Sequence, residues 1–383
     1  MEAELHQIFN AQNGNISKDT RSIKKGAMYF ALKGANFNGN QFTQKAFDAG
    51  AAYAVVDEKV EVTPQFSDKV ITVDHVLQTL QNLARYHRKQ FIIPIIGITG
   101  SNGKTTTKEL VSTVLSQQYN IIATEGNLNN HIGVPLTLLK ITNATDIAII
   151  EMGANQPGDI HELVNVALPT HGLITNIGKA HLEGFGGFEG VLQTKRALYD
   201  FIMEQEGTVF YNDSEKTLVD ILKDYGDKIS YGVAPTSDVY GTITKATPTL
   251  SFQWSKEGQI YSVDTHLFGN YNFFNIMAAL SIGNHFKCTP EQMNQAIATY
   301  IPKNNRSQVE KTAYNTVIWD AYNANPTSMS NAVKSLSEAD DTNKLAILGD
   351  MKEVGVTSTE EHQNIVALLE KLNIEAMLVG EEF

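Results

Sequence analysis

Cysteine is nearly absent from this sequence: Cys288 stands alone in 383 residues, so no disulfide can form within the chain, which suits a reducing compartment. Long apolar runs are missing as well. No stretch approaches the roughly 20 apolar residues of a membrane-spanning helix, and Met1 to Asn10 carries acidic residues rather than the apolar run of a secretory leader. Basic residues are in deficit, with 30 Lys and Arg against 42 Asp and Glu and a net charge of −12. The clustered cations of a nucleic-acid face are not there. These shortages predict a cytoplasmic protein without nucleic-acid or membrane partners, which meets anionic substrates through local devices. The remaining composition, 42% hydrophobic and 19% charged, is that of an ordinary globular chain, long enough for two to four domains at about 100–200 residues each.

What is present centres on Ile95 to Lys108, which reads as a buried strand, a glycine turn and a helix start. Gly100 and Gly103 let the backbone of Gly100-Ser101-Asn102-Gly103 wrap closely around an anion, with N–H groups and the helix dipole facing phosphate oxygens. Lys104 would reach the β- and γ-phosphates, Thr105 would place a hydroxyl on Mg²⁺, and Thr106 continues the turn. Ile98 stands where the first glycine of the longer G-x-x-x-x-G-K-[ST] pattern belongs, so the form is the shorter T-G-x-x-G-K-T.

Around this loop the chain has an α/β rhythm. Residues 19–57 alternate short apolar runs with glycine-rich turns and predict a small α/β domain, and apolar positions at Val76, Leu80, Leu83, Ala84 and His87 predict a linking helix over 76–90. Apolar runs at 95–99, 121–123, 147–150, 173–175 and 208–211 then end in polar or glycine-rich turns, with helical spacing between most of them. That is the pattern of a doubly wound parallel sheet, which binds ligands at the carboxyl ends of its strands. Alternation in 249–254 and again in 260–263 predicts an appended antiparallel hairpin. Helices are expected at 275–285 and 290–300, then a hinge over 301–306. A second α/β rhythm follows, with strands at 316–319, 345–348 and 376–379.

Several phrases in this order resemble the Mur ligases. They are the loop Thr99-Gly100-Ser101-Asn102-Gly103-Lys104-Thr105-Thr106, then Gly126-Asn127-Leu128-Asn129-Asn130-His131, Glu151-Met152-Gly153-Ala154, Thr175-Asn176-Ile177-Gly178-Lys179-Ala180-His181 and Asp320-Ala321-Tyr322-Asn323-Ala324-Asn325-Pro326. The Asn-Leu-Asn-Asn and Tyr-Asn-Ala-Asn-Pro phrases are similar to the branch that adds D-alanyl-D-alanine to UDP-N-acetylmuramoyl-tripeptide. The resemblance implies three domains: residues 1–82 for the UDP end of the substrate, 83–303 as a central ATP-binding domain, and 304–383 as a Rossmann-like ligase domain. It implies an ATP-dependent, ADP-forming amide ligation in cytoplasmic peptidoglycan assembly, passing through an acyl phosphate, by an enzyme expected to be a monomer.

The same resemblance implies roles for residues. Lys104 and Thr105 fall to phosphate and Mg²⁺, and Glu151, ending an apolar strand where a lone carboxylate is costly, to the same metal. His181 and Lys195, the latter carbamylated by CO₂, fall to a second Mg²⁺. For Lys195 a solvated helix lysine is the alternative, because Arg196 and Ala197 follow it where the family has a small residue and an acid. Asn272 and Asn275 resemble the adenine-contacting segment, where helix capping explains part of the run equally well. Arg306, Asp320 and Tyr322 would reach ATP from the last domain, Asp320 on the ribose. Thr20, Arg21 and Asn36 would hold UDP, and Asn127, Asn129 and Asn130 would face the muramoyl-peptide.

Other readings are weaker. A GTPase lacks its guanine-reading N-K-x-D phrase, since Asn343-Lys344 runs into Leu345-Ala346. A folylpolyglutamate synthase-like ligase or another Mur-type ligase shares the chemistry with a different acceptor. A non-catalytic nucleotide- or precursor-binding protein is the alternative of another class. The last domain is expected to be incomplete at Phe383, with an uncovered sheet edge.

Overall fold

A computed structural model describes residues 1–303, 305–340 and 343–383. Residue 304, at the expected start of the last domain and inside the expected hinge, lies outside the described residues. Among the described residues the chain builds three α/β units.

The first unit carries a parallel four-stranded sheet in the order Ile16–Ser17, Met28–Phe30, Tyr53–Val56, Val70–Thr72. Met28, Tyr29 and Phe30 are all buried, because this short strand is covered on both faces. The helix Val76–Arg88 follows, and the domain boundary expected at residue 82 falls inside it. Leu80, Leu83 and Ala84 join one apolar core with Phe9 and Phe30 of the first unit and Leu163 and Val164 of the second. The helix is therefore a shared wall, not a linker.

The central sheet has nine strands, in the order Gln259–Asp264, Ser251–Lys256, Val239–Lys245, Lys228–Gly232, Thr208–Asn212, His171–Ile174, Ile95–Thr99, Ile147–Glu151, Ile121–Ala123. Pairing is parallel from Val239–Lys245 to Ile121–Ala123 and antiparallel beyond it. The hairpin is as expected from the alternation. The strands at 228–232 and 239–245 have mixed polar and apolar residues and gave no clear apolar run. One face packs on helices Asp159–Ala167 and Phe188–Glu204, the other on Lys104–Leu115, Asn272–His285 and Pro290–Thr299. Helix 272–285 is buried almost all round, as a helix apolar on every side must be. Strand 95–99 lies between 171–174 and 147–151, where the strand order reverses and a crevice opens beyond the carboxyl ends.

Among the described residues the third unit carries the three expected strands and one more. Strand Thr316–Trp319 pairs antiparallel with Gln308–Lys311, and Leu345–Gly349 pairs with Glu375–Val379 in a separate parallel sheet. Gln308–Lys311 is polar and escaped notice. Its tight return is made by Thr312, whose hydroxyl oxygen accepts from the N–H groups of Tyr314 and Asn315. Helices Pro326–Ser337 and Ser358–Leu372 cover one side through Val333, Ile365 and Leu369. No described helix is long and apolar enough to cross a membrane.

Candidate active site

Strand 95–99 is wholly buried and delivers the chain to Gly100, which has φ +143°. A Cβ there would lie 2.0 Å from Thr175 Oγ1, and one on Gly103, at φ +80°, would lie 2.5 Å from Asn275 Oδ1. Only glycine tolerates both the conformation and the approach. The neighbouring strand end locks the loop in place. Ser101 N–H donates to the Asn176 carbonyl (3.0 Å), Asn102 N–H to Asn176 Oδ1 (3.1 Å), and Thr175 Oγ1 and Asn176 Nδ2 donate to the Asn102 carbonyl (2.6 and 3.0 Å). Ser101 Oγ donates to the Gly178 carbonyl (3.0 Å). Among the described residues no backbone carbonyl accepts from Gly103, Lys104, Thr105 or Thr106. Helix 104–115 therefore opens with its first-turn amides free for an anion.

Lys104 folds over the loop, its Nζ donating to the carbonyls of Gly100 (2.8 Å) and Ser101 (3.2 Å). Burial holds its ammonium below the ordinary range, an effect Glu151 opposes and Arg306 reinforces. Glu151 ends strand 147–151 at 1% exposure. Its Oε1 accepts from Thr105 Oγ1 (3.1 Å) and Asn129 Nδ2 (2.8 Å), while Oε2 is buried with no partner among the described residues. A buried carboxylate oxygen left unpaired is costly unless a ligand completes it.

His181 takes a left-handed conformation, φ 52°, and its Nδ1 contacts Glu353 of the third unit. Burial lowers its pKa; Glu353 opposes that, and Lys104 and Lys195 add to it. Lys195, 1% exposed on helix 188–204, has its Nζ 5.7 Å from the centre of the Phe185 ring. Its pKa is driven far below the lysine range, by burial first and then by Lys104. At that exposure Lys195 is not a solvated helix lysine. Arg196, where the family has a small residue, pairs with Asp200 at 3.0 Å.

The loop, Glu151 and His181 line a cleft of about 1290 Å³ between the central and third units, together with Asn127, Asn129 and Asn130. Asn130 caps the helix Gly133–Leu138 by accepting from the N–H groups of Ile132 and Gly133. From the third unit, Arg306 stacks on Tyr322 with its guanidinium 3.7 Å from the ring centre, in the geometry of a cation–π pair.

Asn272 and Asn275 also line the cleft, but their amides are committed within the protein. Asn272 Nδ2 donates to the Phe268 carbonyl and Ser307 Oγ, and Asn275 bonds both Asn272 Oδ1 and Thr107 Oγ1. Asp320 is likewise engaged, accepting from Tyr271 OH (2.9 Å) and Ser307 N–H (3.2 Å), and burial raises its pKa. Thr20, Arg21 and Asn36 are not brought to this cleft. Arg21 lies on the first unit, clasping Asp19 at 2.6 Å and holding that carboxyl down to about 2.

Sequence reasoning assigned nothing to Asn176, Tyr271, Glu353 or Asn325. Asn325 precedes a proline that opens a helix, a capping signal visible in the sequence. Its contact across the cleft had no such signal.

A glycine loop with free amides at the switch point of a doubly wound sheet, with a half-satisfied buried acid beside the loop threonine and a third unit across the cleft, is the arrangement of a nucleotide-dependent enzyme of three α/β units. Comparison with known proteins agrees. Residues 14–88 match the Mur ligase family catalytic domain, 98–283 the Mur ligase middle domain, and 305–382 the Mur ligase glutamate ligase domain. The chain belongs to the Mur ligase family, whose members are ATP-dependent amide ligases. It is 33% identical to the UDP-N-acetylmuramoyl-tripeptide–D-alanyl-D-alanine ligase of Bacillus subtilis over 92% of this chain and 77% of that protein. Its fold superposes on the MurF crystal structure from Acinetobacter baumannii with TM-score 0.88 and 28% identity, covering 98% of this chain and 85% of that one. MurF ligase from Thermotoga maritima in complex with ADP shares the fold with TM-score 0.85 at 24% identity, over 96% of this chain and 88% of that one.

Proposed function

We propose that this chain joins D-alanyl-D-alanine to UDP-N-acetylmuramoyl-tripeptide with cleavage of ATP to ADP and phosphate, a step of peptidoglycan precursor synthesis. The terminal carboxylate of the tripeptide attacks the γ-phosphorus, giving an acyl phosphate and ADP. The dipeptide amine then attacks the acyl carbon, loses a proton, and phosphate departs as the amide forms. An unactivated carboxylate repels nucleophiles, so the protein's task is to position three substrates and stabilise charge on the phosphates.

The observation that carries this reading is Glu151, whose unpartnered Oε2 sits beside the loop that bears Thr105. The free amides of Gly103 to Thr106 cradle phosphate oxygens. Lys104 exchanges the Gly100 and Ser101 carbonyls for phosphate, a favourable trade for a desolvated ammonium. Thr105 Oγ1 and Glu151 Oε2 are hard oxygen donors suited to Mg²⁺, which when bound neutralises charge on the β- and γ-phosphates. Lys195 suits a carbamate: burial lowers its pKa and favours the neutral amine, whose Nζ would bond the carbon of CO₂, lose a proton and become an anionic oxygen donor. His181, its Nδ1 in contact with Glu353, keeps Nε2 for a second cation.

Arg306 and Tyr322 form the third-unit wall of the nucleotide site. Asn272 and Asn275 are assigned to bracing the loop rather than to adenine, since their amides are already bonded. Asn127, Asn129 and Asn130 face the muramoyl-peptide, and Thr20, Arg21 and Asn36 are assigned to its uridine diphosphate end.

Phosphate release from ATP and Mg²⁺ in bicarbonate buffer tests this reading. Release should need both the tripeptide nucleotide and D-alanyl-D-alanine and should drop when CO₂ is stripped. Release with neither substrate would identify a simple nucleotide hydrolase instead.

A further inference from the structure

Asn325 sits in extended conformation immediately before helix 326–337 and closes a reciprocal cap. Its Oδ1 accepts from Ser328 N–H (2.9 Å), and its own N–H donates to Ser328 Oγ (3.0 Å). The cap fixes the polarity of the side-chain amide, because the oxygen is committed to the helix and only Nδ2 remains to face outward. That Nδ2 crosses the cleft and donates to Asn102 Oδ1 at 2.7 Å. Asn102 is pinned at its backbone by Asn176, so the contact settles which way round its side chain lies. The result is a buried Asn102 Nδ2 with no partner among the described residues, carried on the loop that holds phosphates.

We propose that Asn325 is a positioning residue which, by taking Asn102 Oδ1, makes the phosphate loop present an N–H donor to the transferred phosphate when the third unit is docked. This rests on the ligase reading above. Without Asn325, the Asn102 amide is free to turn and aim a carbonyl oxygen at an anion, exchanging an attraction for a repulsion. A hydrogen bond to a charged group is lost in that exchange, which corresponds to about a tenfold to hundredfold change in rate. The device makes one donor of the central unit conditional on the third.

The test is a double-mutant cycle on Asn325 and Asn102. Asn325→Ser keeps a neutral capping residue at the helix start but is too short to reach Asn102, so thermal stability should hold. Substrate-dependent phosphate release should fall about tenfold or more in kcat, with the KM for D-alanyl-D-alanine little changed. Asn102→Ala should fall comparably, and the double variant should be no slower than Asn102→Ala within about twofold, because Asn325 acts through Asn102. Asn325→Asp keeps the cap and can only accept, so it should be worse than Asn325→Ser. Wild-type rates in Asn325→Ser, or losses that multiply in the double variant, would overturn the proposal. The same cycle run on equilibrium binding of ATP with Mg²⁺ separates it from the ligase reading. If the wild type binds ATP but does not ligate, the reading fails, and non-additive weakening of ATP binding still upholds the role of Asn325. Additive weakening, or no ATP binding at all, rejects it.

Discussion

The two walls of the cleft are built differently. On the central side, the phosphate loop is held by backbone and side-chain hydrogen bonds from Thr175, Asn176 and Gly178, above a sheet with helices on both faces. On the third-unit side, contact is made mostly by side chains: Asn325 to Asn102, Thr327 to Lys179 N–H, Glu361 to Lys179 Nζ, Glu353 to His181, Glu338 to Asn270, Ser307 to Asn272 and Asp320 to Tyr271. The third unit also has a smaller core and leaves Leu345, Ile347, Met377 and Val379 exposed. A wall packed into a large core stays put, whereas one held by a few polar contacts can separate at modest cost. Substitutions on the central wall should therefore damage phosphate binding, and those on the third-unit wall, apart from Asn325 which acts through the loop residue Asn102, should slow turnover while leaving ATP affinity alone.

The largest effect should come from Lys104→Ala. Losing this phosphate cation should cut substrate-dependent phosphate release about 10²- to 10³-fold, read in the assay above. Gly100→Ala comes next. Its Cβ would meet Thr175 Oγ1 at 2.0 Å, so the loop must shift, and ATP affinity measured by titration should weaken on the order of 10²-fold. Retention of wild-type affinity would show that the central wall is more plastic than its hydrogen bonds imply.

Acid should act on the central wall as well. His171 lies on the strand that leads to Thr175, with Nε2 3.2 Å from His285 Nε2. Burial, then His285, lower its pKa from 6.5 to about 4, with Asp227 opposing. Native His171 stays neutral where the unfolded imidazole is protonated, so the unfolded state binds more protons and stability falls as pH drops from about 6.5 toward about 4. The loss should reach roughly 2–3 kcal/mol, measured by urea unfolding at pH 7.5 and 4.5, and His171→Asn should flatten the dependence. The smallest effect is expected at Glu361→Gln, which weakens the contact with the half-exposed Lys179. It should lower kcat about two- to fivefold with ATP affinity unchanged. A fall in ATP affinity there would break the division between the two walls.

Much of this architecture was legible because it depends on local periodicity. Apolar runs that end in polar turns marked strands 95–99, 121–123 and 147–151 at nearly their observed limits, and Gly100 to Thr105 announced the loop. Strand 308–311 was missed because Gln-Val-Glu-Lys has no apolar run and owes its state to pairing with 316–319. The boundary expected at residue 82 falls inside a helix, because helical spacing shows that a helix forms and not that both of its neighbours pack on it. Asn272, Asn275 and Asp320 stood out as polar residues in the right phrases, yet each also has a partner from a distant position, 35, 168 and 49 residues away in the chain.

Chain-local chemistry alone specified the glycine loop, the parallel sheet that carries it and the residue types that line the cleft beside it, since a strand, a glycine turn and a helix start are set by neighbours in sequence. Tertiary structure decided the rest. It left one oxygen of Glu151 without a partner among the described residues, buried Lys195 so that its pKa falls, turned His181 to Glu353 and set the direction of the Asn102 amide from a residue 223 positions away. Desolvation and hydrogen-bond partnership depend on what the fold brings alongside a side chain, and no local pattern carries that information.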